Sequence, residues 1–138
     1  MTFLYRLAGK PDVSGLDNPF EDVPSSEYYY KPVLWAADKK IVYGIDSTHF
    51  APDDTVTRAQ FVTFLYRYAG KPTYDTSDNK FTDLVEGQYY IPAVLWGSQN
   101  KIVYGTETDE FSPDDFCTRA QVVTFLYRYA KNILGIVS

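Results

Sequence analysis

The sequence predicts a mainly α fold made of tandem helix–turn–helix units, with short extended segments and long loops between the helices. Two observations predict it. First, the chain repeats itself: a shift of 61 positions, with no gap, leaves 31 of 61 aligned residues identical, pairing Phe20 with Phe81, Trp35 with Trp96, Gly44 with Gly105 and Arg58 with Arg119. Second, each repeat carries a run with a complete set of helix start and stop signals.

The elements follow in chain order. Residues 1–9 read as the end of a preceding unit's helix, because Thr2 to Arg6 repeats Thr63 to Arg67. A helix that short is marginal alone and must dock on something. Residues 11–19 and 72–80 are the loops between copies. A helix is expected over Tyr29–Lys39 and again over Tyr90–Asn100. Pro32 and Pro92 then fall in the first turn, where an amide hydrogen has no intrahelical partner. Ile41–Gly44 and Ile102–Gly105 are short β-prone stretches closed by glycine. Phe50–Asp54 and Phe111–Asp115 lead into the strongest helices. Thr57 and Gln60 have capping-box spacing, Gly70 suits a left-handed cap and Pro72 prevents continuation. Thr118 and Gln121 repeat the box, for a helix to about Ala130. Phe61, Phe64, Leu65 and Tyr68 share one helix face, and Val62, Tyr66 and Ala69 widen it, so this helix is buried on several sides. The phase of the repeat divides the chain into a remnant and linker over 1–19, one unit over 20–70, a linker over 71–80, and a second unit with its tail over 81–138.

Composition narrows the functional classes. The 138 residues suffice for a core without staples, and Tyr 13, Phe 9 and Trp 2 supply most of the burial. A net charge of −5 repels phosphate backbones and anionic lipid, which argues against nucleic acid as a partner. No apolar run is long enough for membrane insertion, and Met1–Lys10 lacks the basic-then-apolar pattern of an export signal, so any signal peptide is expected to be absent from this chain. The single Cys117 aligns with Val56 and reads as a small buried hydrophobe.

Catalytic patterns are missing. His49 is the sole histidine and its repeat partner is Glu110, so no duplicated site uses it. The pairs Asp53–Asp54 and Asp114–Asp115 precede helix starts, where negative charge is stabilising anyway. Asp75, Ser77 and Asn79 lack the glycine and distal glutamate of a calcium loop, and Ala69–Pro72 lacks a phosphate-binding loop's spacing. Neither a metal nor a cofactor is expected, and the chain reads as a non-enzyme.

The binding candidates come in repeated pairs. Arg58 and Arg119 place a cation in the first turn of a helix, against the dipole, so local stability does not explain them. One reading joins guanidinium, dipole and free amides into an anion site; the other is a salt bridge to Asp53, Asp54 or a neighbouring unit. Trp35 and Trp96, with Tyr43 and Tyr104 beside them, could offer faces to a sugar ring, although a Trp on an apolar helix face is more often core. Gly44 and Gly105 allow either close backbone approach or a positive-φ turn. Lys40 and Lys101 are the nearest repeated cations, and Gln60 and Gln121 complete the motif.

Taken in order, Phe20-x-Asp22-Val23, Tyr28-Tyr29, Val33-Leu34-Trp35, Ile41-Val42-Tyr43-Gly44, Phe50-x-Pro52 and Thr57-Arg58-Ala59-Gln60, with their second copy through Phe81-x-Asp83, Trp96, Gly105, Phe111-x-Pro113 and Thr118-Arg119-Ala120-Gln121, resemble the S-layer homology repeat of bacterial surface proteins. The resemblance covers nearly the whole chain. It implies a pseudo-symmetric helical bundle, usually of three units, and non-covalent attachment to secondary cell-wall polysaccharide, often pyruvylated, in grooves between units. It also implies an extracellular place at the cell wall or S-layer. Arg58, Arg119, Trp35, Trp96, Gly44 and Gly105 would sit in or near those grooves. Gln60 and Gln121 stand where Glu is frequent, and the cap survives that change. With two complete units, the third position of the bundle is left to the partial unit, to missing sequence or to another copy of the chain, and a homo-oligomer completing it is one expectation. The alternative function is an assembly module that oligomerises through its repeat helices.

Overall fold

Thr57 and Thr118 each begin a helix in the way their spacing predicts. The Thr57 hydroxyl accepts from the Gln60 amide at 3.1 Å while the Gln60 side chain accepts from the Thr57 amide at 2.9 Å, and Thr118 and Gln121 repeat the pair at 3.1 and 3.0 Å. In the computed structural model, which describes residues 2–44, 46–52 and 54–135 (and not the side chains of Thr2, Phe3 and Arg119), five α-helices follow one another. They are α1 (Thr2–Leu7), α2 (Tyr30–Asp38), α3 (Arg58–Tyr68), α4 (Ile91–Gln99) and α5 (Arg119–Tyr129), the last running into a π-helical turn, Ala130–Leu134.

No strand forms among the described residues. The β-prone segments Ile41–Gly44 and Ile102–Gly105 fail to become strands because their amides are already taken. The Ile41 and Val42 amides both donate to the Ala36 carbonyl, and those of Ile102 and Val103 to Gly97. These segments curl beneath the preceding helix and bury their aliphatic side chains there. Lys40 and Lys101, in the left-handed region at φ 60° and 59°, make that curl where a glycine is more usual.

Two compact units divide the chain between residues 54 and 55, out of phase with the sequence repeat. In the first, α1 packs on α2. Leu4 and Tyr5 are buried, and the Tyr5 ring meets Trp35 edge-on at 5.8 Å, which is where the short remnant docks. Phe20, Val23 and Val33 gather Tyr29, Tyr30, Ala37 and Phe50 into a small core. In the second unit α3 packs on α4. Tyr66, the repeat partner of Tyr5, lies 5.6 Å from Trp96, which also contacts Tyr129 of α5 at 6.2 Å. Each unit therefore joins the end of one sequence repeat to the start of the next. The out-of-phase boundary reflects which helices share a core.

Candidate functional site

The loop Phe111–Asp115 is built by one carboxylate. Asp83 accepts from the Phe111 and Ser112 amides at 2.9 and 2.7 Å and holds Ser112 at φ 60°. Asp22 does the same for Phe50 and Ala51 at 2.8 and 2.7 Å, and those amide bonds hold its carboxyl below the usual range. The two partners lie 28 and 29 positions apart in sequence, so nothing local marks Asp22 or Asp83 as a clamp.

That loop receives Arg58. The Arg58 and Ala59 amides donate to the Asp115 and Pro113 carbonyls at 2.8 and 3.1 Å, and the Gln60 amide is bound by Thr57. The first turn of α3 thus has no free amides to offer an anion. Arg58 as a residue is 3% exposed; its guanidinium donates from Nε to the Phe111 carbonyl at 3.0 Å and from Nη2 to the Tyr104 carbonyl at 2.6 Å. It also lies 4.7 Å from the centre of the Phe111 ring and 5.5 Å from that of Phe125. Burial lowers its pKa, with Cys117, Asp115 and Asp83 acting the other way. The reading of Arg58 as part of an open anion site is therefore corrected: its described partners are main-chain carbonyls and aromatic rings. The Arg119 side chain and Asp53 lie outside the described residues.

Trp35 and Trp96 are core, at 4% and 1% exposure, so neither ring has a face open to a sugar. Gly44 and Gly105 do not adopt positive φ. They are close-approach glycines, and the approach is made by the chain itself. An added Cβ at Gly44 would collide with the His49 and Asp46 carbonyls, and one at Gly105 with those of Glu110 and Glu107. Gln60 and Gln121 are occupied in their caps.

What remains at the surface is Tyr43, Tyr104, Lys40 and Lys101. Tyr104 has cations near its ring: the Arg128 guanidinium lies 4.6 Å and the Lys80 ammonium 6.0 Å from its centre. Arg128 and Lys80 were not singled out in the sequence, because their distance from Tyr104 along the chain hides the association. His49 sits in a hydrogen-bonded loop, its Nδ1 3.0 Å from an Asp46 carboxylate oxygen and its Nε2 3.5 Å from Glu21. No group of metal-binding side chains occurs among the described residues, and no described helix is long and apolar enough to cross a membrane.

With this geometry in view, the comparisons are specific. The S-layer homology domain model matches residues 19–62 and 80–123. An endoglucanase of Bacillus sp. (strain KSM-635) is 29% identical over 121 residues, which is 86% of this chain and 12% of that protein. An amylopullulanase of Thermoanaerobacterium thermosulfurigenes is 27% identical over 113 residues, 81% of this chain and 6% of its own length. The chain thus spans only a small part of these relatives. No solved structure matches it. Two matched repeats, with the motif residues forming caps, loop clamps and core, show that the chain belongs to the S-layer homology domain family, a family of modules that anchor surface proteins to the cell wall.

Proposed function

We propose that this chain attaches a larger protein to an acidic secondary cell-wall polysaccharide, of which a pyruvylated polymer is the best chemical fit, and does no chemistry itself. The observation that carries the reading is the pair of family matches, one on each repeat. The surface chemistry supports it. Tyr104, exposed and with Arg128 and Lys80 near its ring, joins an aromatic side chain to positive charge, as an acidic sugar requires. Tyr43, Lys40 and Lys101 are the other exposed repeated contacts. Arg58, Trp35, Trp96, Gly44, Gly105, Gln60 and Gln121 hold the scaffold that presents them. The catalytic activities named for the two relatives belong to those proteins, which share with this chain 12% and 6% of their lengths. Cosedimentation with cell walls tests the reading. The chain should pellet with intact walls and stay in solution with walls stripped of their secondary polymer. Equal pelleting with both would exclude it.

A second reading, self-association, is favoured by one face of α5. Val123 is 52% exposed and Tyr127 is exposed beside it, whereas their repeat partners on α3, Val62 (0% exposed) and Tyr66, pack in the second unit's core beside Trp96. A second copy could cover this face and complete a three-unit bundle. Light scattering across a concentration series should then give a mass that rises with concentration and falls back with Val123→Glu. A constant monomer mass would remove this reading.

A further inference from the structure

In the first unit, the end of α1 and the first turn of α2 enclose an open cavity of about 260 Å³. Arg6, Lys10 and Lys31 line it, all three exposed, against a single lining carboxylate, Glu27. Lys31 also faces Asp12, but that carboxylate already accepts from the Ser14 amide and hydroxyl at 2.9 and 2.7 Å. A chain of net charge −5 therefore concentrates positive charge in one concavity. Tyr28, 78% exposed, stands at its rim with one edge braced against Tyr29 at 5.2 Å. Tyr5 forms part of the wall, anchored by its hydroxyl donating to the Pro11 carbonyl at 2.7 Å.

The second repeat does not reproduce this chemistry. It keeps Arg67 and Lys71 in place of Arg6 and Lys10, but has Pro92 for Lys31 and Glu86 for Ser25. Gln88 also stands for Glu27, so the number of acids is unchanged while one cation is lost, and the two repeats are unequal toward an anion.

We propose that the cavity is a subsite for one acidic sugar residue, its carboxylate held by Lys31 and Arg6 and its ring stacked on Tyr28. The ring face separates a sugar acid from a bare anion, and the cations separate it from a neutral sugar. The proposal rests on the wall-anchoring reading and names where the polymer's acid group is held.

The test is an NMR titration of the full chain with sodium glucuronate, glucose and inorganic phosphate, run beside binding of purified wall polysaccharide. Glucuronate should shift the Arg6, Lys10, Tyr28 and Lys31 amides saturably, and glucose should not. Arg6→Gln with Lys31→Gln, both at exposed positions, should weaken glucuronate roughly tenfold, as loss of two charge-assisted contacts implies, with the circular dichroism unchanged. Tyr28→Ala should weaken glucuronate and leave phosphate unaffected. Equal response to glucuronate and glucose, or indifference of glucuronate to Tyr28→Ala, would overturn the subsite. If the wild type and the double variant bind polysaccharide equally, the subsite falls and anchoring stands. If glucuronate binds as described but polysaccharide does not, the subsite stands and anchoring falls.

Discussion

Arg58 donates from Nη2 to the main-chain carbonyl of Tyr104 at 2.6 Å, tying the first turn of one repeat's helix to the loop of the next repeat. Since Nε also holds the Phe111 carbonyl, this single side chain pins both ends of the segment between them. The cation that opposes the dipole of α3 is thus explained by long-range contacts. Such a residue acts on stability first.

Arg58→Ala should accordingly destabilise the chain by about 2–4 kcal/mol, because it removes the partner of the buried Phe111 carbonyl and of the partly buried Tyr104 carbonyl, and the contacts with Phe111 and Phe125. Urea denaturation measures this. A loss of wall binding with an unchanged midpoint would instead make Arg58 a ligand contact.

Gly105→Ala should cost about 1–3 kcal/mol, since its Cβ would meet two main-chain carbonyls that cannot move independently. Gly9→Ala, where the added carbon meets nothing within contact distance, should cost about 1 kcal/mol for its left-handed φ alone. Thermal unfolding of the two variants would rank them. Equal losses would show that crowding at Gly105 is unimportant.

His49 should titrate above the ordinary histidine value of 6.5, chiefly because its ring is hydrogen-bonded to Asp46, with Glu21 and Asp22 adding to the effect. A raised folded-state pKa means that protonation favours the folded loop. That contribution is complete below the unfolded value and is lost as pH rises through the folded one. An NMR titration of the imidazole should give the elevated value in the native chain and a fall toward 6.5 in Asp46→Asn. An unchanged value in the variant would contradict the assignment to Asp46.

Cys117 is half-buried, and desolvation pushes its thiol up to about 11 despite Arg58 nearby. Alkylation by iodoacetamide at pH 8 should be slow in the native chain and fast in denaturant, because the thiolate is the nucleophile. Equal rates would mean the thiol is accessible and ordinary.

The caps and the helix spans were legible in the sequence because each depends on spacing within a few residues, whereas Trp35 and Trp96 were read both as core and as sugar contacts, and the fold makes them core. Thr57 with Gln60 and Thr118 with Gln121 needed only local geometry. Ile41–Tyr43 was legible only as β-prone, because β-propensity says nothing about whether a partner strand exists, and the Ala36 carbonyl takes the Ile41 and Val42 amides. Gly44 and Gly105 were legible as constrained, though the group that approaches them was not. The Asp83 clamp, the cations around Tyr104 and the meeting of Arg6 with Lys31 all join positions well apart in the chain, and only the fold brings them together.

The most direct measurement is calorimetric titration of the chain with purified secondary wall polysaccharide, before and after chemical removal of its acidic substituents. Saturable binding to the intact polymer that disappears with those substituents, and weakens with salt, is the expected result. Binding of equal strength to both forms, or none to either, would contradict anchoring through an acidic saccharide.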